Sequence, residues 1–165
     1  MSASPSQTAV ASAAEVAATE QLVRAFVTAN QAKDKATMMS LIADDIYHEI
    51  PFSESGRTEE GAFRTNRGKD AMSVFFDMAL STIERLQFVD PTFVTSADAR
   101  SVFVEGRGDC LMANGKIYRN RYVFRYDVEN GKITGLREYY NPIISAFAFN
   151  RPIAGKYSID DLGAF

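Results

Sequence analysis

Two Asn-Gly pairs, Asn114-Gly115 and Asn130-Gly131, constrain this chain more than any other feature, because Asn-Gly favours the tightest hairpin turns. They divide the second half of the chain into Ser101 to Met112, Lys116 to Val128 and Ile133 to Asn141, all rich in Val, Phe, Tyr or Thr. Strands joined by such turns run antiparallel as a meander, so the middle segment lies between the other two. A further strand over Arg85 to Thr95 precedes them, and Asn141-Pro142 stops the last one.

Before Ile83 the spacing is helical. Leu22, Val23, Phe26 and Val27 place one helix over Glu15 to Ala32, and Asp34 caps a second that runs to about Ala43 around Met38, Leu41 and Ile42. Gly68-Lys69-Asp70 leads into a third helix, buried through Met72, Phe75, Phe76 and Ala79. Between the second and third helices, Ile46 to Ile50 reads as a short strand ended by Pro51. Phe52 to Arg67 reads as a polar loop, either a lid over a pocket or a plain surface excursion. Helices first and sheet afterwards predict an α+β domain with the helices packed on one sheet face.

A chain of 165 residues, 46% of them hydrophobic, suits one domain with a substantial core, here residues 15–165. Residues 1–14, rich in Ala and Ser, read as a disordered tail; they lack the basic start and apolar run of a signal peptide. The apolar stretch from Ile143 to Phe165 is expected to pack across the domain or a partner. The formal charge of −3 and a pI near 5.2 give no basic field to draw nucleic acid or an anionic membrane. No run of eighteen apolar residues spans a membrane, and one cysteine, Cys110, suits a reducing compartment such as the cytoplasm.

Candidate chemistry starts with Glu138, an acid inside a strand that otherwise reads as buried. Alternation puts Thr134, Leu136, Glu138 and Tyr140 on one face, and Ile133, Gly135, Arg137 and Tyr139 on the other. In the middle strand Tyr118, Asn120, Tyr122, Phe124 and Tyr126 form an aromatic inner face, opposite an outer row of Arg119, Arg121 and Arg125. That outer row fits a solvated face or a dimer contact. Arg107 and Asp109 share a face of the preceding strand. Such a pair either orients a carboxylate toward a site or forms a surface charge ladder. If the registers agree, Glu138 and the Arg107/Asp109 pair flank an aromatic pocket, where lost hydration turns a carboxyl group into a usable general acid. His48, the only histidine, lies on the parity opposite Tyr47 and Glu49 and reads as structural or exposed. One histidine and one cysteine build no ordinary transition-metal centre, and no P-loop, dinucleotide fingerprint or nucleophile elbow is present.

Tyr118-Arg119-Asn120, Gly131-Lys132-Ile133 and Arg137-Glu138-Tyr139-Tyr140-Asn141-Pro142 resemble motifs of the SnoaL-like branch of the nuclear transport factor two-like superfamily, and within it the phenazine biosynthesis proteins A and B. The resemblance implies a cone-shaped, curved antiparallel sheet wrapped around the N-terminal helices, with a proton-donor role for Glu138. A second resemblance, to limonene epoxide hydrolase, assigns Arg107, Asp109 and Glu138 to water activation and Tyr47 and Glu49 to the water site. Glu138 stands there in place of aspartate, and Glu49 in place of asparagine.

Together these readings give a cofactor-independent acid/base enzyme acting on a small hydrophobic molecule, an isomerase, cyclase or condensation catalyst. In it Glu138, Asp109 and Arg107 are catalytic, while Tyr47, Glu49 and Tyr122 position substrate or water. Epoxide hydrolysis by the same residues is the second reading. A non-catalytic binding or dimerisation module is the third, and it gains if Asp109 and Glu138 face opposite sides of the sheet. The family resemblance also implies a homodimer through the outer sheet face.

Overall fold

Asn130 and Gly131 both adopt left-handed backbone, with φ of 51° and 69°, and close a two-residue turn in which Glu129 faces Lys132. That geometry matches the right-handed twist of the strands it joins, and it sets the register of the hairpin behind it. We describe residues 10–52 and 57–152 in a computed structural model.

The elements run α1 (Ala13–Gln31), α2 (Lys35–Leu41), β1 (Ile42–Ile50), β2 (Arg64–Arg67), α3 (Gly68–Thr82), β3 (Ile83–Arg85) and β4 (Phe88–Thr95). They continue with β5 (Ser101–Gly108), β6 (Cys110–Met112), β7 (Ile117–Tyr118), β8 (Arg121–Glu129), β9 (Lys132–Tyr140) and α4 (Pro142–Ala148). Six strands form an open sheet in the order β2-β1-β9-β8-β5-β4, and β3, β6 and β7 form a small second sheet. As the turns require, β8 lies between β5 and β9. One pair departs from the antiparallel expectation: β1 runs parallel to β9.

Ser12 starts α1 two residues earlier than expected. Its hydroxyl accepts from the Glu15 amide, and the Glu15 carboxylate accepts from the Ser12 amide, a reciprocal capping box. Ala13 and Ala14 are therefore helical rather than part of a tail, and residues 1–9 lie outside the described residues. Asp34 caps α2 through the Thr37 amide. Phe26 of α1 packs 6.1 Å from Phe76 of α3 and 5.7 Å from Tyr126 of β8, which joins the helices to the concave sheet face.

Three local departures shape that face. The last four residues of the expected loop, Arg64–Arg67, are an edge strand paired with β1; Arg-Thr-Asn-Arg carries no apolar alternation to reveal it. Residues 53–56 of that loop lie outside the described residues. The strands expected over Ser101 to Met112 and Lys116 to Val128 each break, at Asp109 and at Arg119-Asn120. The ends beside the Asn114-Gly115 turn join the small sheet and the other ends the large one. Finally, β9 carries a bulge. Val128 faces Ile133 while Tyr126 faces Leu136, so one extra residue sits on β9, and both Ile133 and Leu136 are buried in the core. Ile133 thus falls on the inner face, against the strict alternation.

The tail begins with α4, where Asn141 caps the helix through the amides of Ile143 and Ile144 and Pro142 occupies the first turn. Phe149 then packs 5.6 Å from the Tyr118 ring. Residues 153–165 of the expected packing segment lie outside the described residues.

Candidate functional site

The hairpin register sets Phe124 opposite Glu138 and Tyr122 opposite Tyr140, so past the bulge Glu138 and Tyr140 both point to the concave face. There they line a cavity of about 150 Å³ between the sheet and α3. Its walls are largely apolar and aromatic, with Phe75, Phe88, Tyr122, Phe124 and Phe149 among them. The volume suits one ring. Tyr122 and Phe124 stack at 5.1 Å, and the ring of Phe88 meets both edge-on. Gly108 seats this wall, since a Cβ there would lie 2.9 Å from the Tyr122 ring.

Glu138 has a partner that the sequence reading dismissed. His48 of β1 is fully buried, and its Nε2 lies 3.0 Å from Glu138 Oε1, on a side chain 17% exposed. On the ring's other side, Asn66 Nδ2 lies 2.9 Å from Nδ1. With the amide assigned in this sense, Asn66 donates to Nδ1, which makes the imidazole the neutral tautomer that donates from Nε2 to the carboxylate. Phe75 of α3 packs over the ring at 4.5 Å. The signal was present in the sequence: Ile46 and Ile50 flank His48 on the same parity, and all three are buried. Asn66 could not be found that way, because β2 itself was read as loop.

A run of polar groups lies beside the carboxylate. Asn120, buried, donates to the Tyr118 hydroxyl and to the Asn141 carbonyl, and accepts from the amides of Arg121 and Asn141. The Tyr-Arg-Asn and Asn-Pro motifs are thus two ends of one clamp. Tyr118, Tyr122, Ser145 and Tyr140 all line the cavity beside it. Arg64 Nη2 donates to the Tyr140 hydroxyl at 2.9 Å.

These phenols are held neutral. Burial raises Tyr118 against the hydrogen bonds from Tyr122, Asn120 and Ser145, and burial with the neighbouring Tyr118 lifts Tyr122 well above the usual range. Burial, followed by the charge of Glu138, raises Tyr126. The same two causes push Tyr140 up to about 12, with the Arg64 charge opposing them.

The other expected site residues lie elsewhere, and their assembly around Glu138 is corrected here. Val102, Val104, Gly106 and Gly108 face inward on β5, which sends Arg107 outward to Asp90 at 2.8 Å. Asp109 sits at the break after β5, outside the cavity wall, bonded to Arg119 at 2.9 Å; that hydrogen bond, against slight desolvation, lowers its pKa. Both residues thus pair with opposite charges away from the cavity. Tyr47 and Glu49 take the outward parity of β1, Tyr47 under the Arg67 guanidinium at 4.5 Å and Glu49 beside Arg137 at 3.3 Å. Only Glu138 and Tyr122 of the six line the cavity. Among the described residues no group of three or more His, Cys, Asp or Glu is placed to hold a metal ion. No described helix is long and apolar enough to cross a membrane.

Comparison with known proteins agrees with this architecture. A solved structure from Bacillus subtilis, provisionally described as an isomerase, is 25% identical with a TM-score of 0.71, covering 86% of this chain and 99% of that one. The Δ5-3-ketosteroid isomerase from Mycobacterium sp. is 26% identical with a TM-score of 0.64, covering 77% of this chain and 95% of its own. A phenazine biosynthesis-related protein from Pseudomonas aeruginosa, at 17% identity and a TM-score of 0.66 over 88% of this chain and 96% of its own, shares the fold. The SnoaL-like domain model matches residues 23–136, a span that includes His48 and stops just short of Glu138. By that match, over more than half of its length, the chain belongs to the SnoaL-like family.

Proposed function

We propose that the protein is a cofactor-independent acid/base catalyst of the isomerase or cyclase type, acting on a small hydrophobic molecule, with Glu138 as the group that moves the proton. The observation that carries this reading is a mostly buried carboxylate in the wall of an aromatic cavity, hydrogen-bonded to a histidine sealed from solvent. A carboxylate so placed is oriented by its partner and shielded from bulk water, as proton transfer to or from carbon requires. His48 acts through Glu138 as a positioning residue, and Tyr122 supplies wall. The isomerases among the structural relatives support the same reaction class.

The test is proton exchange. One-ring β,γ-unsaturated ketones, incubated with the protein in deuterated water, are expected to take up deuterium beside the carbonyl and to isomerise, and Glu138→Gln to stop both. Exchange that persists in Glu138→Gln would overturn the assignment. Epoxide hydrolysis would instead place solvent oxygen in the product, which labelled water detects. With Arg107 and Asp109 outside the cavity, the three-residue arrangement for water activation is not assembled. The binding-module reading draws on the same separation of Asp109 from Glu138, and ketone binding without any exchange would establish it.

We also infer a homodimer through the outer sheet face, where Val94, Phe103, Val123 and Tyr139 are exposed on adjacent strands.

A further inference from the structure

α4 reads Pro-Ile-Ile-Ser-Ala-Phe-Ala and carries no charged side chain. A helix that is apolar all round is a buried helix, covered on every face. The described residues cover only one side of this one. Ser145, Ala146 and Ala148 are buried, and Ser145 and the following Phe149 line the cavity. Ile143, Ile144 and Phe147 stand open, with 45%, 38% and 67% of their surface exposed. Spaced three and four residues apart, they form one continuous apolar face. The flanks of that face are cationic. The Lys116 ammonium lies 4.1 Å from the centre of the Phe147 ring, and Arg151 follows the helix with its amide bonded to the Ala146 carbonyl. From Asn141 to Pro152 the chain holds no carboxylate to balance them.

We propose that residues 153–165 turn back along α4 and cover Ile143, Ile144 and Phe147, an apolar strap whose acids meet the flanking cations. The segment starts beside the face it covers, since the backbone at Arg151 is still hydrogen-bonded to α4. Gly155 supplies a residue that accepts the backbone conformations of a reversal. Extended, the segment spans on the order of 40 Å, against about 10 Å for a helix as short as α4, so its reach is ample even after the turn. Its composition matches the face. Tyr157, Ile159, Leu162 and Phe165 supply apolar cover, and Asp160-Asp161 supply the charge opposite to Lys116 and Arg151. Apolar burial drives such a contact, while exposed ion pairs contribute little energy and select the register. Held from outside in this way, α4 braces the part of the cavity wall that Ser145 and Phe149 supply.

Cys110, the chain's one cysteine, is buried, so a thiol introduced at Ile143 reports the cover of this face in the full-length protein. Ile143→Cys is expected to react with N-ethylmaleimide about tenfold more slowly than Val74→Cys, whose thiol stands at an open position of α3, because reaction then waits on local opening. Adding Ile159→Ser and Leu162→Ser to Ile143→Cys should bring its rate up to that of Val74→Cys. Adding Asp160→Lys and Asp161→Lys instead should weaken the protection, and Lys116→Glu in that same chain should recover part of it. A thiol at Ile143 that reacts as fast as the one at Val74, or equally slowly with and without the two serine substitutions, would overturn the proposal. So would protection that grows with protein concentration, which places a second copy on the face, or a charge exchange that recovers nothing.

Discussion

His48 Nε2 and Glu138 Oε1 stand 3.0 Å apart across the parallel pairing of β1 with β9, joining a ring without solvent access to a carboxylate that opens on the cavity. Replacing His48 by Leu keeps most of the volume and deletes the donor. Glu138 then loses its fixed orientation, and Asn66 loses its acceptor. Deuterium exchange is expected to fall about tenfold to a hundredfold, the scale of a misplaced catalytic group, with little change in KM. Unfolding free energy should drop by about 1–3 kcal/mol for the stranded polar groups. Unchanged exchange in a folded His48→Leu protein would remove the histidine from the mechanism.

Arg107 and Asp109 offer the complementary case. Both pair on the outside, with Asp90 and Arg119 respectively. Arg107→Ala and Asp109→Asn are therefore expected to leave exchange kinetics at the wild-type level. A large loss of kcat in either variant would restore the water-activating constellation.

Gly108 is expected to be intolerant in a graded way. In Gly108→Ala the new methyl would meet the Tyr122 ring at 2.9 Å, in the middle of the stacked wall, whereas at Gly106 it would meet Pro91 at an ordinary 3.6 Å. Overpacking of this kind costs about 1–3 kcal/mol. Urea titrations should show Gly108→Ala losing clearly more stability than Gly106→Ala.

Alkaline pH should unfold the protein through its buried phenols. Below their ordinary value of 10.0 the tyrosines are neutral in both folded and unfolded chains. As pH rises past that point the unfolded chain sheds protons first, so it binds fewer protons than the fold and stability falls. For Tyr140 the loss continues up to about 12, and burial holds Tyr118, Tyr122 and Tyr126 to the same direction. Denaturant midpoints measured across this window should fall with pH, less steeply in Tyr126→Phe. A flat profile would contradict the burial of these rings.

The outer-face dimer is tested at Val123, which faces Glu105 on one side and Tyr139 on the other and is 40% exposed. Val123→Glu should convert a dimer to a monomer in light scattering while leaving circular dichroism unchanged. A monomeric wild-type protein would end the proposal.

Much of this fold was legible because its punctuation is local. Asn130-Gly131 fixes a hairpin, Asp34 caps a helix, and Val23, Phe26 and Val27 mark a buried stripe, each within a few residues. The aromatic inner face of β8 followed from alternation, which also grouped Glu138 with Leu136 and Tyr140; the side that group faces is set by the pairing of β9 with β8. What escaped depends on partners distant in sequence. β2 is a strand only because β1 lies beside it, and the bulge at Ile133 exists only against Val128. The burial of His48 was legible from Ile46 and Ile50 on its own parity, whereas the carboxylate it meets lies 90 residues away on β9. The side on which Arg107 lies depended on register, which pairs it with Arg121 of the outer row of β8.

The Asn120 clamp sets a rule for recombining this chain with its relatives. With both amide protons and both acceptor positions engaged by Tyr118, Arg121 and Asn141, that side chain has no spare valence to accommodate a foreign partner. A crossover placed after Gly131 would separate Asn120 from its native Asn141-Pro142 and from the helix that Asn141 starts. A crossover placed before Tyr118 carries the whole latch, from the hydroxyl run to α4, as one exchangeable cassette.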